Sequence, residues 1–113
     1  MNIKVYYADI NPNTWLSFDS NIVLHTFGNY NKEIEYNNRI ADGTHCFGTK
    51  LYSIGLATVI SFAPTKLVTA AEGGVILTYD NSDGTLISYI REYRDRCFRM
   101  SEFHAKIGLE YLK

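Results

Sequence analysis

Four residues in the middle of this chain have types and spacing that could do chemistry: Asp42, His45, Ser61 and Lys66. Asp42 and His45 stand three apart in the Gly-rich stretch "ADGTHCFGTK". Ser61 and Lys66 stand five apart in "SFAPTKLVTAAEGG". A lysine amine that has lost its proton is a nucleophile. A carboxylate and an imidazole near it can serve acid–base steps or hold a cofactor. Taken singly, each residue has an ordinary explanation. Asp-Gly is a common turn dipeptide, a strand-end serine can be satisfied by backbone, and most lysines are solvated. What needs explaining is the ordered set.

A second group, His25, His45, Cys46 and Cys97, contains metal-ligating and thiol side chains. Its spacing matches no zinc-ligand pattern, and the two cysteines form no CxxC pair.

The elements that must position these residues are legible in outline. "IKVYYADI" is rich in β-branched and aromatic residues and predicts a strand, which "NPNT" stops. "NIVLHTFG" predicts a second strand, one that could be buried on both faces. "NYNKEIEYNNR" reads as either a short exposed helix or a loop. "LATVISFA" and "GGVILTYD" predict two more strands. Lys66 then falls just past a strand, where α/β proteins commonly place functional groups. "TLISYIREYRDR" carries Leu86, Ile90 and Tyr93 at helical spacing. "SEFHAKIGLEYLK" predicts a last helix with Ser101 as N-cap, Glu102 in the first turn, and Phe103, Ile107 and Tyr111 on one face. Mixed strands and helices point to the α/β class.

Composition narrows the function classes. The 113 residues are 46% apolar, enough for one domain with a core. Net charge is -1, so neither nucleic acid nor an anionic membrane surface is an expected partner. The start, "MNIKVYYADI", has no long apolar segment, and no run reaches the length of a membrane span. A reducing, cytoplasmic setting is the expectation.

As an ordered pattern the four residues resemble the DegT/StrS-type sugar-nucleotide aminotransferases. In that family an Asp opens a small-residue segment, with Gln or His three further on. A Ser-Phe pair then precedes the essential lysine at the spacing seen here, and a Gly-Gly strand like "EGGVILT" follows. "VYYADINPNTW", "VLHTFGN" and "FRMSEFHAKIGLEYL" are similar to further family segments and occur in family order.

The resemblance implies pyridoxal 5'-phosphate (PLP) as cofactor. Lys66 would be the Schiff-base lysine and proton carrier. Asp42 would pair with the pyridine nitrogen, His45 would lie at the ring's phenolic oxygen, and Ser61 would donate to the phosphate. The implied reaction moves an amino group, from glutamate as donor, to a nucleotide-linked keto sugar. The implied assembly is a homodimer. The implied fold is part of the three-layer, aspartate-aminotransferase-like large domain, with a mostly parallel sheet and flanking helices.

The sequence departs from the family in several places. On this resemblance, residues 1–113 would be a single partial PLP-binding large domain, with no counterparts expected for the N-terminal phosphate-cup region, its ring-stacking aromatic, or the C-terminal small domain. The stretch from "FGN" to "ADG" is short for a parallel crossover, which takes roughly a dozen residues. Cys97 stands two before Arg99, where the family has an Asn that reaches the partner subunit's cofactor phosphate. The alternative expectation is therefore a non-catalytic relic or interaction module that keeps the fold without cofactor.

Overall fold

The computed structural model describes residues 4–15, 21–28, 39–49, 55–78 and 84–113. Among these described residues, four strands form one sheet: β1 (Ile22–Leu24), β2 (Ile40–Asp42), β3 (Ala57–Ser61) and β4 (Gly74–Thr78). They lie in sequence order, with β1, β2 and β3 parallel and β4 antiparallel to β3. Two helices follow, α1 (Thr85–Tyr93) and α2 (Glu102–Tyr111), giving a small α/β fold with a mostly parallel sheet. Between the helices, Arg94–Phe98 form a wide π-type turn.

The register explains which residues form the core. Successive side chains of a strand point to opposite faces. Val23, Ala41 and Thr58 are cross-strand neighbours on one face, and all three are buried. Ile60 lies on that face as well and is also buried. On the opposite face, Ile22, Leu24, Ile40 and Ile76 are exposed large apolar residues. Asp42 and Ser61 project from this more open face, because Asp42 pairs with Val59 and Ser61 is two residues beyond it.

Two glycines allow the strands to approach. A Cβ at Gly43 would lie 2.9 Å from Thr58 Cγ2 and 3.3 Å from the Val59 carbonyl oxygen. The glycine of "ADG" thus serves close contact with β3 as well as a turn. A Cβ at Gly74 would collide with the Ile60 carbonyl oxygen, so the Ser61–Gly74 pairing that starts β4 requires glycine.

Some expectations need correction. Residues 4–9 form no strand, and Ile10 makes only an isolated bridge. Val5, Tyr6 and Tyr7 are largely exposed, and β-propensity does not hold a strand without a packed neighbour. The turn after them does form. Asn11 Oδ1 accepts from the Asn13 and Thr14 amides, at 2.8 and 3.3 Å. The strand expected through Gly28 ends at Leu24, because Phe27 and Gly28 adopt positive φ. It is buried on one face only. The "NYNKEIEYNNR" segment lies outside the described residues except for Arg39. The strands on either side of it, β1 and β2, pair in parallel.

Ser101 caps α2 as the sequence predicts, accepting from the His104 amide at 3.2 Å. The Phe103–Ile107–Tyr111 face does not dock as a bulky stripe, since Phe103 and Tyr111 are exposed. The buried residue of α2 is Gly108, where an added Cβ would come within 3.2 Å of Ala70 Cβ. The helix approaches the loop after β3 at its smallest side chain.

Candidate functional site

Parallel strands place their C-terminal ends, and the loops that leave them, on one edge of a sheet. Here that edge carries the loop after β1 (25–28), the loop after β2 (43–49) and the loop after β3 (62–73). All four candidate residues belong to this edge. Asp42 ends β2, Ser61 ends β3, His45 is in the loop after β2, and Lys66 is in the loop after β3.

Local hydrogen bonds orient two of these side chains. Asp42 Oδ1 accepts from the Thr44 amide at 3.1 Å, an Asx turn that fixes the carboxylate at the strand end. Ser61 Oγ accepts from the Ala63 amide at 3.2 Å, the serine equivalent, which leaves its O–H to donate elsewhere. Asp42 and Ser61 are both half-buried.

The Lys66 loop is tied at its base and along its length. The Phe62 amide donates to Gly73 O at 2.9 Å, and the Phe62 carbonyl accepts from the Ala70 amide at 3.0 Å. Thr69 Oγ1 donates to Phe62 O at 3.2 Å and accepts from the Ala71 amide at 2.9 Å. The Lys66 amide donates to Ala63 O at 3.0 Å. Val68 and Ala70 are buried and plug the loop into the core. Lys66 itself is half-buried, and among the described residues no carboxylate forms an ion pair with it.

Contacts between loops lace the edge together. The His25 amide donates to Asp42 O at 3.0 Å, and the Gly43 amide donates to Val59 O at 2.9 Å. The buried Cys46 thiol points its Sγ toward His25 O at 3.7 Å. Burial raises the Cys46 pKa, and the Asp42 charge pushes it the same way; backbone N–H groups of Gly28 and His45 offset part of this. Two aromatic pairs complete the lacing. Phe27 stacks on His45, and Phe47 meets Phe62 edge-on at 5.9 Å.

These three phenylalanines are what reading the sequence for reactive groups missed. Each lies within a few residues of a strand's C-terminal end, which was the available signal. Of the thiols, Cys46 is buried in this edge, whereas Cys97 is exposed in the π turn, and both are free. A separate groove of about 650 Å³ lies between β4 and α1, lined by Ile76, Ile87, Ile90, Arg91 and Tyr93 among others. None of the four candidate residues lines it. No helix among the described residues is long and apolar enough to cross a membrane.

An acceptor carboxylate, a hydroxyl donor, an imidazole and a primary amine thus share one sheet edge. This donor set can receive a ring N–H, donate to an anionic group and exchange protons at a third atom. No curated protein and no solved structure matches the chain. A family model does match, that of the DegT/DnrJ/EryC1/StrS aminotransferase family, over residues 39–113. Its span contains Asp42, His45, Ser61 and Lys66 and more than half of the sequence, so the chain belongs to the DegT/DnrJ/EryC1/StrS aminotransferase family.

Proposed function

We propose that the C-terminal edge of the sheet binds PLP and supports transfer of an amino group from glutamate to a nucleotide-linked keto sugar. The observation that carries this reading is the shared edge. Asp42 and Ser61 end adjacent parallel strands on one face, and the loops that bear His45 and Lys66 leave from those same ends. The family is generally PLP-dependent, and the donor set fits a phosphorylated pyridine. When bound, the cofactor supplies the electron sink that stabilises negative charge on the substrate carbon.

The chain's own residues do the rest. Asp42, already fixed by the Thr44 amide, accepts from the protonated ring nitrogen and keeps that proton in place. Ser61 donates its O–H to a phosphate oxygen while its Oγ remains anchored to the Ala63 amide. His45 hydrogen-bonds the ring's phenolic oxygen. The Lys66 amine would hold the cofactor and would carry the proton that leaves the donor's α-carbon. The backbone bonds around Phe62 tie the loop that carries Lys66 to the end of β3.

The test is to incubate the folded chain with PLP, reduce it with borohydride and map the modified residue. The expected label is on Lys66, and Lys66→Ala should lose it entirely. A folded wild-type chain that takes no label would sink this reading.

A second reading has its own observation. The exposed apolar residues Ile22, Leu24, Ile40 and Ile76 share one sheet face. Such a surface favours an interaction module that keeps the fold without cofactor. A defined oligomer that is folded and shows no PLP absorbance is its expected signature. A dimer with the cofactor bound returns the choice to the aminotransferase reading.

A further inference from the structure

β4 is the last strand of the sheet among the described residues, and its outer side carries unmet backbone groups. The ladder to β3 shows which ones. The Phe62 amide donates to Gly73 O at 2.9 Å. Hydrogen-bonded pairs of an antiparallel ladder recur at every second position, so Ile60–Val75 and Thr58–Leu77 are the next ones. Gly74, Ile76 and Thr78 therefore turn their N–H and C=O groups away from β3. Val59, opposite Ile76, agrees with this parity, since its carbonyl accepts from the Gly43 amide on the other side. No hydrogen bond reaches the outward groups of these three residues from another described residue. The strand, Gly-Val-Ile-Leu-Thr, has no proline and no charge to blunt its edge.

The groove of about 650 Å³ lies between this strand and α1. Ile76, Ile87, Ile90 and Phe98 make it apolar, and Arg91 joins the lining without an ion pair to any described carboxylate. An edge strand that faces a helix across a groove can receive an extended peptide as an added strand. The same chain holds a segment suited to that place. Residues 4–8, Lys-Val-Tyr-Tyr-Ala, are strand-forming in composition yet lie in no sheet. Val5, Tyr6 and Tyr7 are 74, 81 and 100% exposed. Asp9, directly after them, brings a carboxylate that complements Arg91. One chain thus leaves both halves of a strand pair unmatched.

We propose that residues 4–8 of a second copy add to the outer edge of β4 as a further strand, with alternate side chains in the groove. Donation is reciprocal, each chain supplying a segment and an edge, so the assembly is a closed dimer. Backbone bonds give the affinity, and the apolar groove selects the segment. None of the four cofactor-site candidates lines this groove, so the dimer stands or falls apart from the PLP reading.

Sedimentation of the full chain over a range of concentrations should show a reversible monomer–dimer equilibrium. Of two adjacent residues in an added strand, one must turn its N–H toward β4. The double substitution Tyr6→Pro and Tyr7→Pro removes both N–H groups. It should weaken the dimer by about 10-fold or more, the worth of a hydrogen bond whose partner is left unpaired. Both residues are exposed and outside any strand or helix, so the urea midpoint of the monomer should not change. On the receiving side, Ile76→Pro removes an outward N–H and spares the ladder to β3, the place where edge strands tolerate proline. It should weaken the dimer as much.

A synthetic peptide of residues 4–10 should disperse the wild-type dimer and bind the double-proline chain. Two methylated versions separate strand addition from general apolar association. One carries backbone N-methyl groups at Val5 and Tyr7, the other at Tyr6 and Ala8. One pattern should bind like the unmodified peptide, and the other should bind about 10-fold more weakly or worse. Equal affinity of the two patterns overturns the proposal. So does a wild-type chain that stays monomeric throughout, or a dimer unmoved by the double-proline substitution.

Discussion

The loops at the C-terminal edge of the sheet and the two helices that follow it are held in opposite ways. The edge is built from short-range constraints. It has strand-end side chains bonded to nearby amides, loops tied back to their own bases, and aromatic pairs between neighbouring loops. The helices have few such ties. α1 has no buried residue, and α2 has only Gly108. Three ion pairs decorate the helical region, all between exposed side chains, where such pairs contribute little. The difference teaches that the geometry of the candidate site is set mainly within β2, β3, β4 and their loops. The helices present apolar surface, including Tyr93, Phe98, Phe103 and Leu109, that gains stability only when something covers it.

The sharpest way to break this contrast is to add one side chain at each end. Gly74→Val puts a Cβ into the Ile60 carbonyl oxygen, and backbone on both sides must move. The expected loss is about 3 kcal/mol, with the Lys66 loop released from its β3–β4 base. Gly84→Ala, at the start of α1, meets nothing within 4 Å and feels only its positive φ of 67°. That should cost about 1 kcal/mol. Urea midpoints of the two variants check the order. Equal losses would mean that the helices are as tightly built as the edge.

A second pair compares apolar truncations. Ile60 is 3% exposed on the packed face of β3, whereas Phe103 in α2 is 71% exposed. Ile60→Ala should lose about 3 kcal/mol through transfer and cavity terms. Phe103→Ala should stay within about 0.5 kcal/mol. The smaller side chain thus gives the larger effect. If an oligomer forms through the helices, the Phe103→Ala loss would grow with protein concentration, which separates covered from uncovered surface.

How much was legible in the sequence follows the same division. The residues of the edge could be read because local chemistry dictates them. Ser61 and Asp42 end strands and bond amides two residues on, and Gly74 stands where only glycine fits. The Ser101 cap is equally local. Residues 4–9 misled because strand-like composition does not supply a pairing partner. The Phe103–Ile107–Tyr111 stripe misled because helical periodicity marks a face but not what lies against it. The Phe27–His45 and Phe47–Phe62 pairs join loops that are distant in sequence. Their existence depends on strand order and register, which a single sequence does not display. The order of the four site residues could be read only as a resemblance, since nothing in their spacing alone requires one cofactor.

The smallest effect is a pH dependence that begins only above about pH 9, and it tests how closely the edge is packed around Asp42. Burial, and then the Asp42 charge, raise the Cys46 pKa above its ordinary value of 9.0. The folded chain therefore holds the thiol proton more tightly than the unfolded chain does. The sign follows from linkage: Cys46 contributes stability that is fully present below pH 9.0 and is lost as pH rises through the folded value. Urea midpoints measured from pH 8 to pH 11, as the difference between wild type and Cys46→Ala, isolate this from the other titrating groups. The difference should be constant up to about pH 9 and then shift against wild type. Asp42→Asn should reduce the slope, because one of the two causes is removed, while burial keeps part of it. Alkylation gives an independent reading at fixed pH. The exposed Cys97 should react first, and Cys46 only as fast as the edge opens. Parallel midpoint curves for wild type and Cys46→Ala across the whole range, together with equal alkylation rates, would show the loops at Asp42 to be as open as the helices.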